Sequence, residues 1–302
     1  MNSQHPDTQT AATFGDRLFA LLQYPLPHHL LSRGMHALTR VEWSPLKDLL
    51  IRTAIRVYDI DMKEALENDP GHYRSFNHFF TRALRPEARP LEADETAVIS
   101  PADGTLSQIG AIRNGRIFQA KGRNYGLGEL LGGDTVWTPR FEDGAFATVY
   151  LSPRDYHRVH MPLDGVLRKM IHVPGRLFSV NPSTTRTIPR LFARNERVVC
   201  LFETGTGPMA VILVGAIFVA SIDTVWAGAI APRSRATTTW QYGEPSPAVP
   251  LDRGAEMGRF NMGSTVIVLF GKEAVRWKAA LQAESPIRMG ETIGHIEQGM
   301  WV

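Results

Sequence analysis

Cysteine is almost missing from this sequence. Of the 302 residues only Cys200 is a cysteine, so the chain cannot build a disulfide framework. Cys200 lies in the apolar segment 198–202, where a small buried thiol is the expected role. A reducing compartment fits this composition.

Long apolar runs are also missing. The longest, residues 209–222, is interrupted by Gly215 and Ser221 and is shorter than the about 20 residues that a membrane-spanning helix needs. Its β-branched content predicts buried strand instead. Residues 1–13 are polar and lack the basic and apolar regions of a secretory signal. We therefore expect a disordered tail over 1–13 and no signal peptide.

Neither sign of charge dominates. The formal net charge is +3 and the pI about 9.1, which is too weakly basic to indicate nucleic acid, and we expect no such partner. Residues 14–58 nevertheless contain six basic and three acidic residues, an excess as large as that of the whole chain. This segment is also rich in leucine and aromatic residues. The pattern fits a membrane-interface segment and a helical subdomain packed on the core equally well.

The sequence pattern is helical from residue 14 to about residue 83. Ser44 followed by Pro45 predicts a helix with serine at the N-cap and proline at the first helical position. The apolar side chains of this helix share one face: Leu46, Leu49, Leu50, Ala54 and Val57. Ser75 predicts the start of a second helix.

The chain becomes β-rich after a linker punctuated by Pro86 and Pro90. Short apolar segments then alternate with Gly, Pro and Asp, as strands and turns do. These predicted strands span residues 97–99, 115–119, 145–151, 166–172, 198–202, 210–214, 217–222 and 264–270. The pattern predicts an α+β protein in which a helical region at 14–90 precedes a β-rich, barrel-like domain at 91–302.

Two segments offer groups for acid–base chemistry. Asp103 lies in an Asp-Gly pair after a short strand, which is typical of a turn but also presents a carboxylate that could orient a histidine. His157 and His160 would share a face in a helical turn and lie on opposite faces in a strand. Histidine is the usual general acid or base near neutral pH. Solvent-facing histidines and a metal site are the alternatives, but with no HExxH helix and a single cysteine we expect no metal.

A third segment, Gly263-Ser264-Thr265, precedes an apolar strand. The tripeptide alone is weak, since about one protein in ten of this size contains it by chance. A tight turn is one interpretation; the other is a strained peptide bond at Gly263 that the Ser264 hydroxyl attacks. The order Asp103, His160, Ser264 permits nucleophilic activation and also occurs in a hydrolase class. The G-x-S-x-G nucleophile elbow is absent from this segment.

These motifs in this order resemble the bacterial, type I-like, pyruvoyl-dependent phosphatidylserine decarboxylases. The resemblance covers residue 76 to the C-terminus, and Met262 replaces the leucine of the family's Leu-Gly-Ser-Thr motif. The matching segments are residues 76–82, 89–90, 100–104, 151–162 and 262–265.

The resemblance implies a proenzyme that cuts itself between Gly263 and Ser264 into a β chain, 1–263, and an α chain, 264–302. Ser264 would attack the Gly263 carbonyl, with His160 as base and Asp103 orienting it. Ser264 would then become a covalent pyruvoyl group, the cofactor. Its ketone would form a Schiff base with phosphatidylserine and accept electrons as CO2 leaves, giving phosphatidylethanolamine. His157 would protonate the carbanion or position the carboxylate.

The resemblance also strengthens the membrane interpretation of residues 14–90, because the substrate head group lies at a bilayer surface. It implies peripheral attachment to an anionic membrane surface, at the cytoplasmic side of the cell membrane, and a homodimer of processed protomers. The domain at 91–302 would be catalytic. A serine hydrolase acting on lipid esters and a non-enzymatic lipid-binding module are the alternatives.

Overall fold

The computed structural model describes residues 11–218, 221–231 and 236–297, so most of the expected tail lies outside the described residues. Four helices precede the first strand, and three short ones lie between strands. The helices are α1 (Phe14–Gln23), α2 (His28–Thr39), α3 (Ser44–Tyr58), α4 (Phe76–Phe80), α5 (Leu127–Leu130), α6 (Pro182–Thr187) and α7 (Leu191–Arg194).

Strands are the main regular structure of the described chain after residue 96. They are β1 (Ala97–Ile99), β2 (Gly104–Ala111), β3 (Arg116–Ala120), β4 (Arg123–Gly126), β5 (Ala145–Leu151), β6 (Arg158–His160), β7 (Gly165–Val173), β8 (Arg197–Thr204), β9 (Gly207–Gly215), β10 (Ile222–Thr224), β11 (Gly228–Ala231), β12 (Thr238–Gln241), β13 (Val249–Leu251), β14 (Glu256–Phe260), β15 (Ser264–Phe270), β16 (Val275–Trp277), β17 (Pro286–Ile287) and β18 (Thr292–Ile296). The predicted α+β class is confirmed.

The main sheet is antiparallel and runs in the order β12, β7, β8, β9, β15, β5, β2, β17, with β13 also on β7. Within the described residues it ends at β12 and β17, so it does not close into a barrel. A smaller sheet, β11-β10-β14-β6, lies beside it. The strand predicted at 217–222 is wrong in the part that the structure describes, since residues 217–218 form a turn and β10 begins at Ile222.

Strand β15 is central and buried along its whole length. Its run Val266-Ile267-Val268 packs on both faces of the sheet, as β-branched residues in fully covered strands do. Ser264, its first residue, pairs with Leu151 of β5 on one side and Gly215 of β9 on the other. The ladder therefore holds Ser264 at one end of the sheet.

Strand β2 brings Asp103 to the same end. Thr105 and Thr265 pair with Tyr150 from opposite sides, which separates β2 from β15 by two strand spacings, roughly 10 Å. Gly104 has φ +154°, and a Cβ there would lie 2.2 Å from the Tyr150 carbonyl oxygen. Only glycine permits this approach, so Gly104 sets the position of Asp103.

Helix α1 packs against the β-rich part through its polar side chains. Asp16 forms a salt bridge with Arg186, and the Gln23 side chain accepts a hydrogen bond from the Ser179 amide at 2.8 Å. Thr13 and Asp16 form a capping box at the start of the helix. The buried residues of α1 are thus Asp16, Ala20 and Gln23, while its leucines face outward.

Helix α3 begins one residue earlier than predicted, at Ser44, with Trp43 at the N-cap and no side-chain cap. Its buried residues are Lys47, Ile51 and Ala54, whereas Leu49 and Val57 of the predicted apolar face are exposed. The start of α4 at Ser75 is confirmed, since the Ser75 hydroxyl accepts from the His78 amide. No helix in the described ranges is both long and apolar enough to span a bilayer.

A second hydrophobic cluster joins α3 and α4. It contains Ile51, Ala54, Ile60, Tyr73, Phe76, Phe79 and Phe80, and Met262 packs against it. The helical part thereby contacts the loop that leads into β15.

Candidate active site

Ser264 is fully buried. Its hydroxyl has no hydrogen-bond partner among the described residues. A buried hydroxyl without a partner is unfavourable, so this group is available for another use. Its neighbour Thr265 shares both properties.

The backbone strain at this site lies at Met262. Its φ of +146° falls in a region that costs a residue with a side chain on the order of 1–3 kcal/mol. Gly263, the residue at which strain was expected, does not have a positive φ, and a Cβ there would meet no atom within 4 Å. Met262 packs on the second hydrophobic cluster, so the unusual backbone lies one residue before Gly263. Strain in the peptide bond between Gly263 and Ser264 stays a prediction.

Asn261 anchors the loop from its other side. Its side-chain amide donates to Asp223 Oδ1 at 3.0 Å and to the Ser221 carbonyl at 3.3 Å. Its side-chain oxygen, Oδ1, accepts a hydrogen bond from the side-chain amide of Asn77 at 2.9 Å. No sequence pattern indicated this role for Asn261, although Asn77 belongs to the segment that carried the family resemblance.

An apolar cleft of about 180 Å³ lies against the loop. Met262 and Gly263 form one wall, and the helical part contributes the opposite wall through residues such as Ala54, Phe76 and Phe80. The peptide bond between Gly263 and Ser264 therefore lies where helical and β-rich parts meet.

His157 is buried beside Phe80, with 4.1 Å between the ring centroids. Its Nδ1 is 2.7 Å from the Asp155 carbonyl. Since a carbonyl only accepts, Nδ1 carries the proton and Nε2 presents a lone pair. Nε2 has no partner in the described part of the chain. Burial lowers the pKa of His157 to about 3, so the ring is neutral at physiological pH.

The stability of the fold is expected to fall below about pH 6.5 because of His157. The unfolded chain binds a proton there at the ordinary pKa of 6.5, whereas the folded chain stays neutral at this ring to about pH 3. Acid therefore favours the unfolded state by up to about 1.4 kcal/mol per pH unit between these values. Urea unfolding of the wild type and of His157→Asn across this pH range tests this expectation. The variant should have the shallower slope, and equal slopes would contradict the assignment.

His160 has the same tautomer as His157. It lies in β6, so the segment is extended rather than a helical turn. Its Nδ1 donates to the Gly254 carbonyl at 2.8 Å, and its Nε2 accepts from the Tyr156 hydroxyl at 3.1 Å. Burial lowers the pKa of His160, an effect that the Gly254 hydrogen bond and the charge of Asp103 partly oppose.

Asp103 does not hydrogen-bond to His160 within the described residues. Its carboxylate instead accepts from Nε and Nη2 of Arg89, with 2.8 Å between Arg89 Nε and Asp103 Oδ1, and from the Met289 amide at 2.9 Å. Arg89 also binds Glu64. The expectation that Asp103 directly orients His160 is thus corrected: the Gly254 carbonyl holds that ring, and Asp103 acts on it through its charge.

Backbone hydrogen bonds connect the Asp103 loop to the strand of His160. The His160 amide donates to the Pro101 carbonyl at 2.8 Å. The Phe260 amide, four residues before Ser264, donates to the His157 carbonyl at 3.0 Å. Backbone hydrogen bonds thus connect the histidine segment both to the loop of Asp103 and to the residues that precede Ser264, at one end of the sheet.

Comparison with known proteins assigns this arrangement to a family. A family model described as phosphatidylserine decarboxylase matches residues 76–295, and a second, described as PSD, matches residues 18–59. The chain is 59% identical over 278 residues to a phosphatidylserine decarboxylase proenzyme of Bordetella avium, covering 92% of this chain and 94% of that protein. Proteins of the same description from Pseudomonas aeruginosa (58% over 284 residues; 93% and 98% covered) and Alkalilimnicola ehrlichii (56% over 294; 97% and 98%) are similar to it.

Proposed function

The chain belongs to the phosphatidylserine decarboxylase family, and from this premise we propose that it cleaves itself before Ser264 and then converts phosphatidylserine to phosphatidylethanolamine and CO2. The observation that carries the proposal is the Ser264 hydroxyl. It is buried without a described partner, at the first residue of β15, and two residues after the strained Met262. A hydroxyl that served only packing would lose its hydrogen bonds to water at this position and gain none from the described residues.

Cleavage starts when Ser264 Oγ bonds to the Gly263 carbonyl carbon. The amide C–N bond breaks, the nitrogen takes a proton, and an ester replaces the amide. Removal of the Ser264 α-proton then expels the Gly263 carboxylate, leaving dehydroalanine. Addition of one water releases ammonia and leaves a ketone at position 264. Relief of backbone strain at Met262 favours the first step.

His160 accepts the hydroxyl proton in this scheme. The Gly254 carbonyl keeps its proton on Nδ1, so the lone pair is on Nε2. Tyr156 occupies that lone pair in the uncleaved chain, and its hydrogen bond is exchanged for one with Ser264 before transfer. The negative charges of Glu256 and Asp103 stabilise the imidazolium that forms.

The residues around position 264 fit a pyruvoyl group. The described lining of the apolar cleft has no lysine, whose amine would compete with the substrate for a ketone. A ketone at position 264 would supply the electrophile for the substrate amine and the electron sink for decarboxylation. His157, neutral and with a free Nε2, positions the substrate carboxylate or carries the proton to the carbanion.

The two fragments stay associated after cleavage because β15 pairs along its length with β5 and β9. Strand β15 belongs to the α chain, 264–302, and its two neighbours belong to the β chain, 1–263. The catalytic domain, 91–302, is thus shared between the chains. The family resemblance further implies a homodimer of processed protomers, which sedimentation of the cleaved protein tests.

The proposal is tested by the intact masses of purified, denatured protein. We expect a fragment of residues 1–263 and an α chain lighter by one ammonia than a fragment that starts with serine. A chain that stays uncut while fully active would overturn the proposal. The alternative, a serine hydrolase, requires an uncut chain that reacts with a phosphonate at Ser264, and the comparisons do not favour it.

An outward apolar surface on α1 to α3 supports peripheral attachment of region 14–90 to a membrane. Helix α1 turns polar residues inward and exposes Leu21 and Leu22. Phe14 is 81% exposed, Leu30 67% and Trp43 66%. Exposed apolar area of this kind marks an interaction surface, and the exposed Arg17, Arg33, Arg52 and Arg56 match an anionic bilayer such as the cytoplasmic face of the cell membrane.

The double substitution Leu21→Ser and Leu22→Ser is expected to weaken binding to phosphatidylserine-containing vesicles by at least about tenfold. Burying one leucine contributes roughly 1.5–3 kcal/mol, and neither side chain is needed for the packed face of α1. Vesicle sedimentation measures the effect. Val136→Ser, an exposed apolar residue of the β-rich part, is the control. An equal loss of vesicle binding in the control variant would contradict the assignment of the α1 surface to the membrane.

A further inference from the structure

Among the described residues three arginines are at least nine-tenths buried, and two of them donate hydrogen bonds from every guanidinium nitrogen. Arg197 donates from all its guanidinium nitrogens to backbone carbonyls. Arg89 donates to Asp103, Glu64 and the Ala88 carbonyl. Each pattern offsets the large cost of removing a guanidinium from water.

Arg82 is the third and differs from both. It is 5% exposed, yet only Nη2 has a partner, the Arg154 carbonyl at 3.3 Å. Nε and Nη1 are buried without a hydrogen-bond partner in the described residues. The guanidinium also lies 5.4 Å from the Phe79 ring centroid. Such a cation–π contact offsets only a small part of the desolvation cost of a buried cation.

No described carboxylate forms a salt bridge with Arg82. The nearby Asp103 and Glu64 are both bound by Arg89. Burial lowers the pKa of Arg82, but a guanidinium remains charged at neutral pH. The site therefore holds a buried positive charge whose donors fit an anion from outside the chain.

Arg82 lies next to the candidate active site. Its Nη2 binds the Arg154 carbonyl and His157 Nδ1 binds the Asp155 carbonyl, so the two side chains dock on successive peptide groups, whose Cα atoms are about 3.8 Å apart. Arg82 also lines a polar cleft of about 390 Å³ together with Asp103 and Tyr156. An anion bound there has access from the cleft and lies within reach of His157.

We propose that Arg82 binds the phosphodiester of the substrate head group through Nε and Nη1. This rests on the proposed function, in which the substrate carries two anions, a carboxylate and a phosphodiester. A cation on the carboxylate would stabilise the charge that decarboxylation removes and would slow the reaction. The phosphodiester keeps its charge throughout, and a planar guanidinium binds it in a bidentate manner.

The experiment compares Arg82→Gln with wild type in detergent mixed micelles. Losing a charge-assisted hydrogen-bond pair should raise the KM for phosphatidylserine on the order of 10- to 100-fold, while kcat changes much less. Glycerophosphoethanolamine has the phosphodiester but no carboxylate, so its inhibition constant should rise in parallel. Arg85→Gln, three residues away and outside the described lining of the cleft, controls for the loss of one surface charge.

Two outcomes would overturn the assignment. An unchanged inhibition constant for glycerophosphoethanolamine with a raised KM would assign Arg82 to the carboxylate. If neither the KM nor the inhibition constant changed, the role of Arg82 would be purely structural. Arg82→Lys keeps the positive charge but loses the planar guanidinium, and it should have an intermediate KM. This variant provides the test if Arg82→Gln does not fold. A gel and the α-chain mass report processing separately, so failure of the proposed function would appear there.

Discussion

Ser264→Ala is expected to remain a single chain of full length without decarboxylase activity. In the proposed cleavage the Ser264 hydroxyl oxygen attacks the Gly263 carbonyl, and the ketone is then made from the same residue. The substitution removes the attacking atom and therefore prevents formation of the ketone. Because the hydroxyl has no described partner, its removal costs no hydrogen bond and relieves an unsatisfied polar group. The melting temperature of the variant should therefore equal or exceed that of an uncleaved wild-type chain.

The neighbouring residue provides a matched control. Thr265 is equally buried, and its hydroxyl is likewise unpartnered in the described residues. Thr265→Val removes that hydroxyl at nearly constant volume, and we expect normal cleavage and activity. A denaturing gel, the α-chain mass and CO2 release separate the two variants. Cleavage of Ser264→Ala at the same bond would refute the role of the serine.

Strands could be predicted here where the sheet buries both faces. Strands β5 and β15 have the bounds predicted from their apolar runs, Ala145–Leu151 and Ser264–Phe270, because a strand covered on both faces has a nearly continuous apolar sequence. The apolar residues at 217–218 misled the prediction because they lie in a turn beside the apolar cleft. Sheet closure was not predictable, since it depends on pairing between distant edges.

The helices illustrate a different limit. The amphipathic pattern identified them, but a periodic pattern does not tell which face meets the protein. In α1 the residues toward the β-rich part are Asp16, Ala20 and Gln23, held by hydrogen bonds and an ion pair rather than by apolar contact. For α3 the assumption that the leucine face is buried therefore failed at Leu49.

At the candidate site the sequence identified the groups but not their partners. Asp103, His157, His160 and Ser264 were singled out by residue type and order. The pairing of Asp103 with Arg89 depends on the tertiary fold. The sequence presented Arg89 as part of a linker and of a family motif, with no indication of its partner. The φ of Met262 likewise results from packing against a distant aromatic cluster.

Asparagine substitutions of the two histidines are expected to fail at different stages. In His160→Asn the amide can still donate to the Gly254 carbonyl, but the basic lone pair is lost. We expect self-cleavage to slow by roughly 10²- to 10⁴-fold, the usual contribution of a general base. The chain should accumulate uncut, and activity should be low in proportion to the uncut fraction.

His157→Asn is expected to be processed and then to decarboxylate slowly, by a similar factor of roughly 10²–10⁴. Its side-chain amide can keep the hydrogen bond to the Asp155 carbonyl, so the fold is retained while the lone pair at Nε2 is lost. Time courses of fragment formation, with CO2 release normalised to the cleaved fraction, separate the two stages. If His157→Asn stayed uncut and His160→Asn were processed, the base would be His157, whose Nε2 is the one without a described partner. The His160 hydrogen bond to Tyr156 would then be structural.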